Sequence, residues 1–476
     1  MKPLSTRPLG GDLSPRRTLA RLGTAIAILV GGCQSYAPKP LSVSAHREAF
    51  LARAPDSGEV RAFADSLAQP ARPAASRSAL QPVSSDRAEV IALVFNADLR
   101  VARLRAGVAQ ASAEFAGLWQ DPVVGVTYTD ALESIGNPGE FFGNVAFTIP
   151  ISGRLELEKE RLGLAHAAAL AEVAELEWDT RMRVRRAWVE WTAALRSRDA
   201  ARDLLEHLDS VLTPIAAMEQ AGELTRVQAR LFHLERAKAT AVLNQRELDV
   251  TTSRLAIDRL LGLPPTARVE LVPAAFAAPL ASAIDGDRDA LLRSPRLLTA
   301  RTEYEVAEKR LEQEVRSQIP DIGITPGYGT ENGLKQFNLG LYLPIPIFNA
   351  NRQAIAVAGA ERESMRTAVE QAIEMLLADL AFARARAEAA VRQREIVEER
   401  LIPLAEVQYS ELRELARLGE VDPLVLVDGI NQQFEAKVGL VDARRGETLA
   451  AIDLVDLVGP PEKGAMSGPS TEGTSR

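Results

Sequence analysis

The sequence predicts a mostly α-helical chain with a small β part, written as two internal repeats. Three observations carry that prediction. Residues 154–220 and 352–418 each run for 67 positions rich in Ala, Leu, Glu and Arg, residues that favour helix. Ahead of each stand two short runs, at about 122–150 and 320–346, that alternate apolar with small or polar residues, the period of a strand. The halves also align. Pro122 falls on Pro320 and "ADLRVARLRA" from Ala97 on "PRLLTARTEY" from Pro295 at a displacement of 198, while Gly222-Glu223 falls on Gly419-Glu420 and Gly262 on Gly459 at 197.

Composition excludes several functions. The 476 residues are 46% hydrophobic, 25% charged and 5% aromatic, with a net charge of -8, so no basic field for nucleic acid exists. His46, His166, His207 and His233 are scattered, and with one cysteine they make no ligand spacing for a metal. There is no Gly-rich phosphate loop and no nucleophile motif. Neither an enzyme nor a cofactor is expected.

Residues 1–32 read as a signal peptide. Arg16, Arg17 and Arg21 precede the apolar run Leu22–Val30, which is too short to span a bilayer. Val30-Gly31-Gly32-Cys33 resembles a bacterial lipobox, which implies cleavage before Cys33 and acylation of that residue, with several chains giving a stable anchor. Gln34 follows where Asp would favour inner-membrane retention, so the expected destination is the outer membrane. Residues 33–84, with six prolines, read as a lipidated, extended segment holding at most a short helix near Glu48–Ala52. The tail, 460–476, reads as disordered.

Repeat 1 is placed at 85–262, an equatorial linker at 263–293 and repeat 2 at 294–459. In each the expected order is a first helix (Asp86–Leu118; Ser294–Ser317), a hairpin, a very long helix, a Gly-Glu break and a return helix (Thr225–Leu261; Asp422–Val458). Period two puts Val124, Val126 and Tyr128 on one face, and likewise Phe141, Val145, Phe147 and Ile149 on the return strand. The second hairpin alternates in the same way through Ile322, Ile324, Tyr328, Phe337, Leu339 and Leu341. Such runs suit a membrane barrel, apolar outward and polar or small inward. Four strands cannot close one, and an open edge in hydrocarbon costs several kcal/mol per unpaired group, so several chains are expected to share a barrel. The alternative is two soluble hairpins packed on helices. At 1.5 Å per residue the long helices reach roughly 100 Å, a rod with coiled-coil stripes such as Met365, Val369, Ala372, Leu376 and Leu380. Pro214 and Pro403 are expected to interrupt or kink them. Pro150, Pro344 and Pro346 mark strand-to-helix junctions, where regular pairing stops.

The repeats, the hairpins, the Gly turns and the closing "LLGLPP" and "DLVG" together resemble the TolC-like outer-membrane factor family over about Ser85–Gly459. "LPIPIFNANRQAI" further resembles the "PLPLFNRNQG"-type segment of its CzcC-like heavy-metal efflux branch, while "FTIPISGRLEL" departs from that branch's "QPIELGGKR"-like stretch. The resemblance implies a homotrimer with a twelve-stranded barrel over a twelve-helix tunnel. It also implies helical tips docked to a periplasmic adaptor (membrane fusion protein) and an inner-membrane RND-type transporter. The implied role is a passive exit duct in the outer membrane of a Gram-negative bacterium, for divalent cations or, alternatively, small organic compounds. The tips would be Gly222, Glu223, Leu224 and Thr225, and Gly419, Glu420, Val421 and Asp422. Asp428 falls on one of the family's acidic gate positions and Val425 on the other, so three copies of Asp428 would ring the aperture with negative charge. A lipid-anchored coiled-coil scaffold is the reading from another class; it would need no alternating hairpins.

Overall fold

The computed structural model describes residues 36–67, 82–130, 139–267, 269–276, 288–331, 333–418 and 422–460. The described residues divide into two units at Phe50 and Leu51. Residues 43–50 of the first belong to helix α1 (Val43–Leu51), opened by Ser42, whose hydroxyl accepts from the Ala45 N–H at 3.3 Å. The expected tail lies outside the described residues apart from Pro460.

The second unit begins with α2 (Gly58–Leu67) and continues in the order the repeats predict. Repeat 1 holds α3 (Ser85–Phe95), α4 (Ala97–Glu114), β1 (Val123–Thr129), β2 (Glu140–Ile149), α5 (Arg154–Ala221) and α6 (Arg226–Leu261). A 3₁₀ turn (Arg288–Arg293) leads into repeat 2: α7 (Pro295–Arg316), β3 (Ile322–Glu331), β4 (Leu334–Tyr342), α8 (Arg352–Ile396), α9 (Ile402–Leu418) and α10 (Pro423–Val458).

Three expectations are corrected. The segment before residue 85 carries two helices, α1 and α2, rather than one short helix, and Val60 of α2 is buried in the largest core cluster. The single helix expected over 86–118 is two, because Asn96 caps a new one: its side-chain oxygen accepts from the Asp98 and Leu99 N–H groups (2.9 and 3.2 Å), while its amide donates to the Leu260 carbonyl. The two prolines act differently from each other. Pro214 lies inside an unbroken α5. Before Pro403 the ladder widens into a π turn (Val397–Leu401), where Ile402 N–H donates to the carbonyl of Val397, five residues back. The wider turn gives the Pro403 ring room against the Glu399 carbonyl with which it would clash in an α-helix.

The core is a hub rather than a central ball. Ile91, Ala92 and Phe95 of α3, Trp188 and Trp191 of α5, and Ile257 and Leu261 of α6 pack with Leu263, Val269 and Leu271 of the segment after α6. Burying each of the larger side chains is worth about 1.5–3 kcal/mol. Val83 and Leu271 form a parallel bridge at its margin, and Arg53 donates to the Gly262 carbonyl (2.8 Å) with its guanidinium over the Phe95 ring. Away from the hub the helices meet through ion pairs. Arg186 joins Asp453 and Asp456 of α10, Lys437 joins Asp203, and Arg394 joins Glu398 and the buried Glu447.

Candidate functional site

The four strands form one antiparallel sheet in the order β1-β2-β3-β4. Moving the β1–β2 pairs from Gly125↔Asn144 to Thr129↔Glu140 by 198 gives β3–β4 pairs: Gly125↔Asn144 becomes Gly323↔Tyr342, and Tyr128↔Phe141 becomes Pro326↔Leu339. Across β2–β3 the register sets Phe147 beside Ile324 and Gly143 beside Tyr328. The predicted alternation therefore converges on a single side of the sheet. Val124, Val126, Phe147, Ile324, Leu339 and Leu341 share one apolar face, and on the edge strands Val126 is 64% and Leu341 73% exposed. The sheet is not packed on helices, and β1 and β4 each keep an edge without a partner strand among the described residues.

The opposite face is built around glycine. A Cβ on Gly323 would stand 1.8 Å from the Tyr342 ring, and one on Gly327 2.3 Å from the Phe142 ring, so both rings lie flat where a side chain would otherwise project. This keeps the face thin and mostly polar.

Below the sheet, the junctions differ between repeats. Pro150 leads through Ser152 and Gly153 (φ +74°) into α5, whose first residue, Arg154, binds Asp321 at the foot of β3 at 2.7 Å. An arginine at a helix N-terminus opposes the helix dipole, and the aspartate offsets it. In repeat 2 the stretch Leu343–Phe348, containing Pro344 and Pro346, joins no strand ladder among the described residues, and Phe348 is 91% exposed.

At the far end, Gly222 (φ +79°) ends α5, its N–H donating to Glu219 and the Glu223 N–H to Met218. Leu224 is buried, and Thr225 and Gln228 close a capping box that starts α6. Gly419, Glu420 and Val421 lie outside the described residues. Asp422 caps α10 by accepting from the Leu424 N–H at 2.8 Å, with Pro423 as the first helical residue. Asp428 is exposed on α10 and accepts from the Gln432 amide at 2.6 Å. Cys33 lies outside the described residues.

Sequence reasoning missed a cavity of about 390 Å³ near the tips, lined by Val211, Pro214, Ile215, Tyr409, Arg413 and Leu426. Beside it His207 stacks on Tyr409 with ring centroids 5.0 Å apart. Burial, then Lys437 and Arg413, hold the His207 imidazole below its ordinary value of 6.5, against the opposing pull of Asp203 and Glu206. The folded state thus prefers neutral histidine. This contribution to stability is complete above about pH 6.5 and is lost as the pH falls through the lowered folded value. Melting followed at pH 7.5 and 5.5 should show acid weakening the tip, and His207→Phe should flatten that part of the profile; an unchanged profile in the variant would locate the acid sensitivity elsewhere. Arg154–Asp321 was missed too, because its partners are 167 residues apart and belong to different repeats.

Among the described residues no cluster of His, Cys, Asp and Glu is placed to hold a metal ion, and no helix is long and apolar enough to cross a membrane. The second says nothing of a β-barrel.

Residues 288–460 match the family model of the outer membrane efflux proteins. No curated protein matches the chain. Several solved structures share the fold. A membrane protein from Pseudomonas aeruginosa aligns with TM-score 0.70 at 18% identity, covering 79% of this chain and 92% of its own. The CusC structures, described by their changes on folding and transmembrane channel formation, give 0.66 at 19%, covering 90% and 100%. The outer membrane protein VceC from Vibrio cholerae gives 0.68 at 15%, covering 79% and 96%. The family model lies on the second repeat, the first repeat reproduces its elements, and the fold of those channels extends over both. Residues 288–460 are thus similar to the outer membrane efflux proteins, and the chain shares the TolC-like fold of solved structures less than 20% identical to it.

Proposed function

We propose that three copies of this chain form the outer-membrane exit duct of a tripartite efflux pump, and that its cargo is heavy-metal or other divalent cations. One observation carries the duct: a four-stranded sheet with a continuous apolar face, a thin glycine-lined face and two open edges. In water such a face is a liability and in lipid an asset, provided the edges are paired with further copies. Cys33 would anchor each copy in the outer-membrane lipid. The tips at Gly222–Thr225 and Gly419–Asp422 would meet a periplasmic adaptor that joins the duct to an RND-type inner-membrane transporter.

The cation reading is supported by the resemblance of Leu343–Ile355 to the heavy-metal branch and by the exposed Asp428 just beyond the second tip. A ring of three carboxylates favours cations and disfavours anions. Purified protein in planar bilayers should conduct, with a reversal potential in a salt gradient that reports cation preference. Asp428→Asn should move that potential toward zero without abolishing conductance. A cell lacking the chain should become sensitive to divalent metals. Sensitivity to small organic compounds alone would sink the cation assignment, and a non-conducting monomer would sink the duct.

A further inference from the structure

The contact between the two repeats is a template for a contact the single chain cannot make. We infer that the β4 edge of one copy, extended through Leu343–Phe348, pairs with β1 of the next in a defined register: Ile345 opposite Val126 and Ile347 opposite Val124. The inference rests on the shared-barrel reading above and adds to it the seam itself.

Both hairpins obey one displacement of 198, so β2 stands to β4 as β1 stands to β3. Within the chain β2 pairs with β3 through Phe147↔Ile324 and Ile149↔Ile322. Moving β2 forward and β3 back by that displacement turns these pairs into Ile345↔Val126 and Ile347↔Val124 of the next copy. Parity then agrees, because all four residues continue the exposed apolar face.

The prolines agree as well. The β2–β3 ladder has no pairs between Asn144↔Gly327 and Phe147↔Ile324, whereas the β3–β4 ladder runs unbroken through Pro326↔Leu339. The N–H that Pro326 lacks therefore belonged to the β2 side, and alternation fixes which way every other N–H points. By the same displacement, odd residues of β4 and its extension donate toward the next copy's β1, while even ones donate toward β3. Pro344 and Pro346 are both even. Opposite them on the β3 side the strand has already ended before Ile322, so neither proline removes a bond that either ladder needs. In the single chain Ile347 N–H instead donates to Ile345 at 2.9 Å, a local bond that pairing would replace.

The helices below repeat the argument independently. On α7, Lys309 meets Glu160 (2.9 Å) and Gln313 accepts from Arg161 (2.8 Å), so this side of α7 rests on α5. Its counterpart on α4 is the exposed apolar stripe Val101, Leu104, Val108 and Phe115. Phe115 corresponds to Gln313, and Arg161 to Gly359 of α8, beside which a Cβ would meet open space. A phenylalanine thus faces a vacant glycine where the first repeat joins arginine to glutamine. Arg352, the counterpart of Arg154, has no ion-pair partner among the described residues and falls at this same seam, where Val123 stands in the place of Asp321.

Cysteine pairs test the register in the full chain in membranes. Ile345→Cys with Val126→Cys, and separately Ile347→Cys with Val124→Cys, should on oxidation move the chain from monomer to covalent dimer and trimer bands on non-reducing gels. Ile345→Cys with Tyr128→Cys, a diagonal pair too far apart for a disulfide, should not. The parent chain, whose one cysteine is Cys33, gives the background. If heat-modifiable trimers form but the diagonal pair cross-links best, or no pair does, the register is wrong while the duct reading stands. If the unoxidised protein is a monomer that conducts nothing, both fall.

Discussion

Trp188→Ala is expected to destabilise the helical body by about 3–5 kcal/mol, the usual cost of emptying a large buried aromatic site. Trp188 is buried at the middle of α5, edge-on to Trp191 with ring centroids 5.8 Å apart, and its indole donates to the Val272 carbonyl at 2.8 Å. Truncation opens a void among α3, α5 and α6 and strands an acceptor, which adds about 1 kcal/mol. Trp188→Phe keeps most of the volume and loses the hydrogen bond, so it should fall between. Urea unfolding followed by helical circular dichroism reads both values; a midpoint unmoved by the alanine would mean that the hub does not set the stability of the long helices.

The second large effect is expected at Gly262, for a different reason. Its φ is +66°, and a Cβ there would lie 2.4 Å from the Phe95 carbonyl oxygen and 2.8 Å from its carbon. Alanine must therefore bear left-handed strain of about 1–2 kcal/mol and also push apart two helix ends joined by backbone. Together these should cost about 2–4 kcal/mol. Gly222 is the control. Its φ is +79° but nothing lies within 4 Å of the missing Cβ, so Gly222→Ala should cost only the strain, about 1–2 kcal/mol. Equal losses in the two variants would show that the close approach at Phe95 contributes nothing.

Much of this architecture was legible because periodicity and repetition are local signals. The alternation in Phe141–Ile149 and Phe337–Leu341 needs no knowledge of the fold, and Gly222 announces a turn by its own backbone freedom. Asn96 was harder to read: a helix-favouring pattern runs straight through it, and only its bond to Leu260 in space shows why one helix stops and another starts. The α2 helix was hidden by a proline-rich setting and stands because Val60 finds the hub. Charge partners such as Arg154 with Asp321, or Arg394 with Glu447, were not legible at all, since any of dozens of acidic residues would satisfy an arginine on paper.

The thin glycine face of the sheet has a geometric consequence. Identical units joined head to tail, edge to opposite edge, either come round to their starting point or run on as a fibre, depending on the turn made at each joint. With Tyr342 and Phe142 lying flat over glycines on one side and branched or aromatic groups standing upright on the other, each unit is a wedge. In the shared barrel proposed above, the angle of that wedge, more than the strength of any bond across the joint, would set how many chains complete the circle.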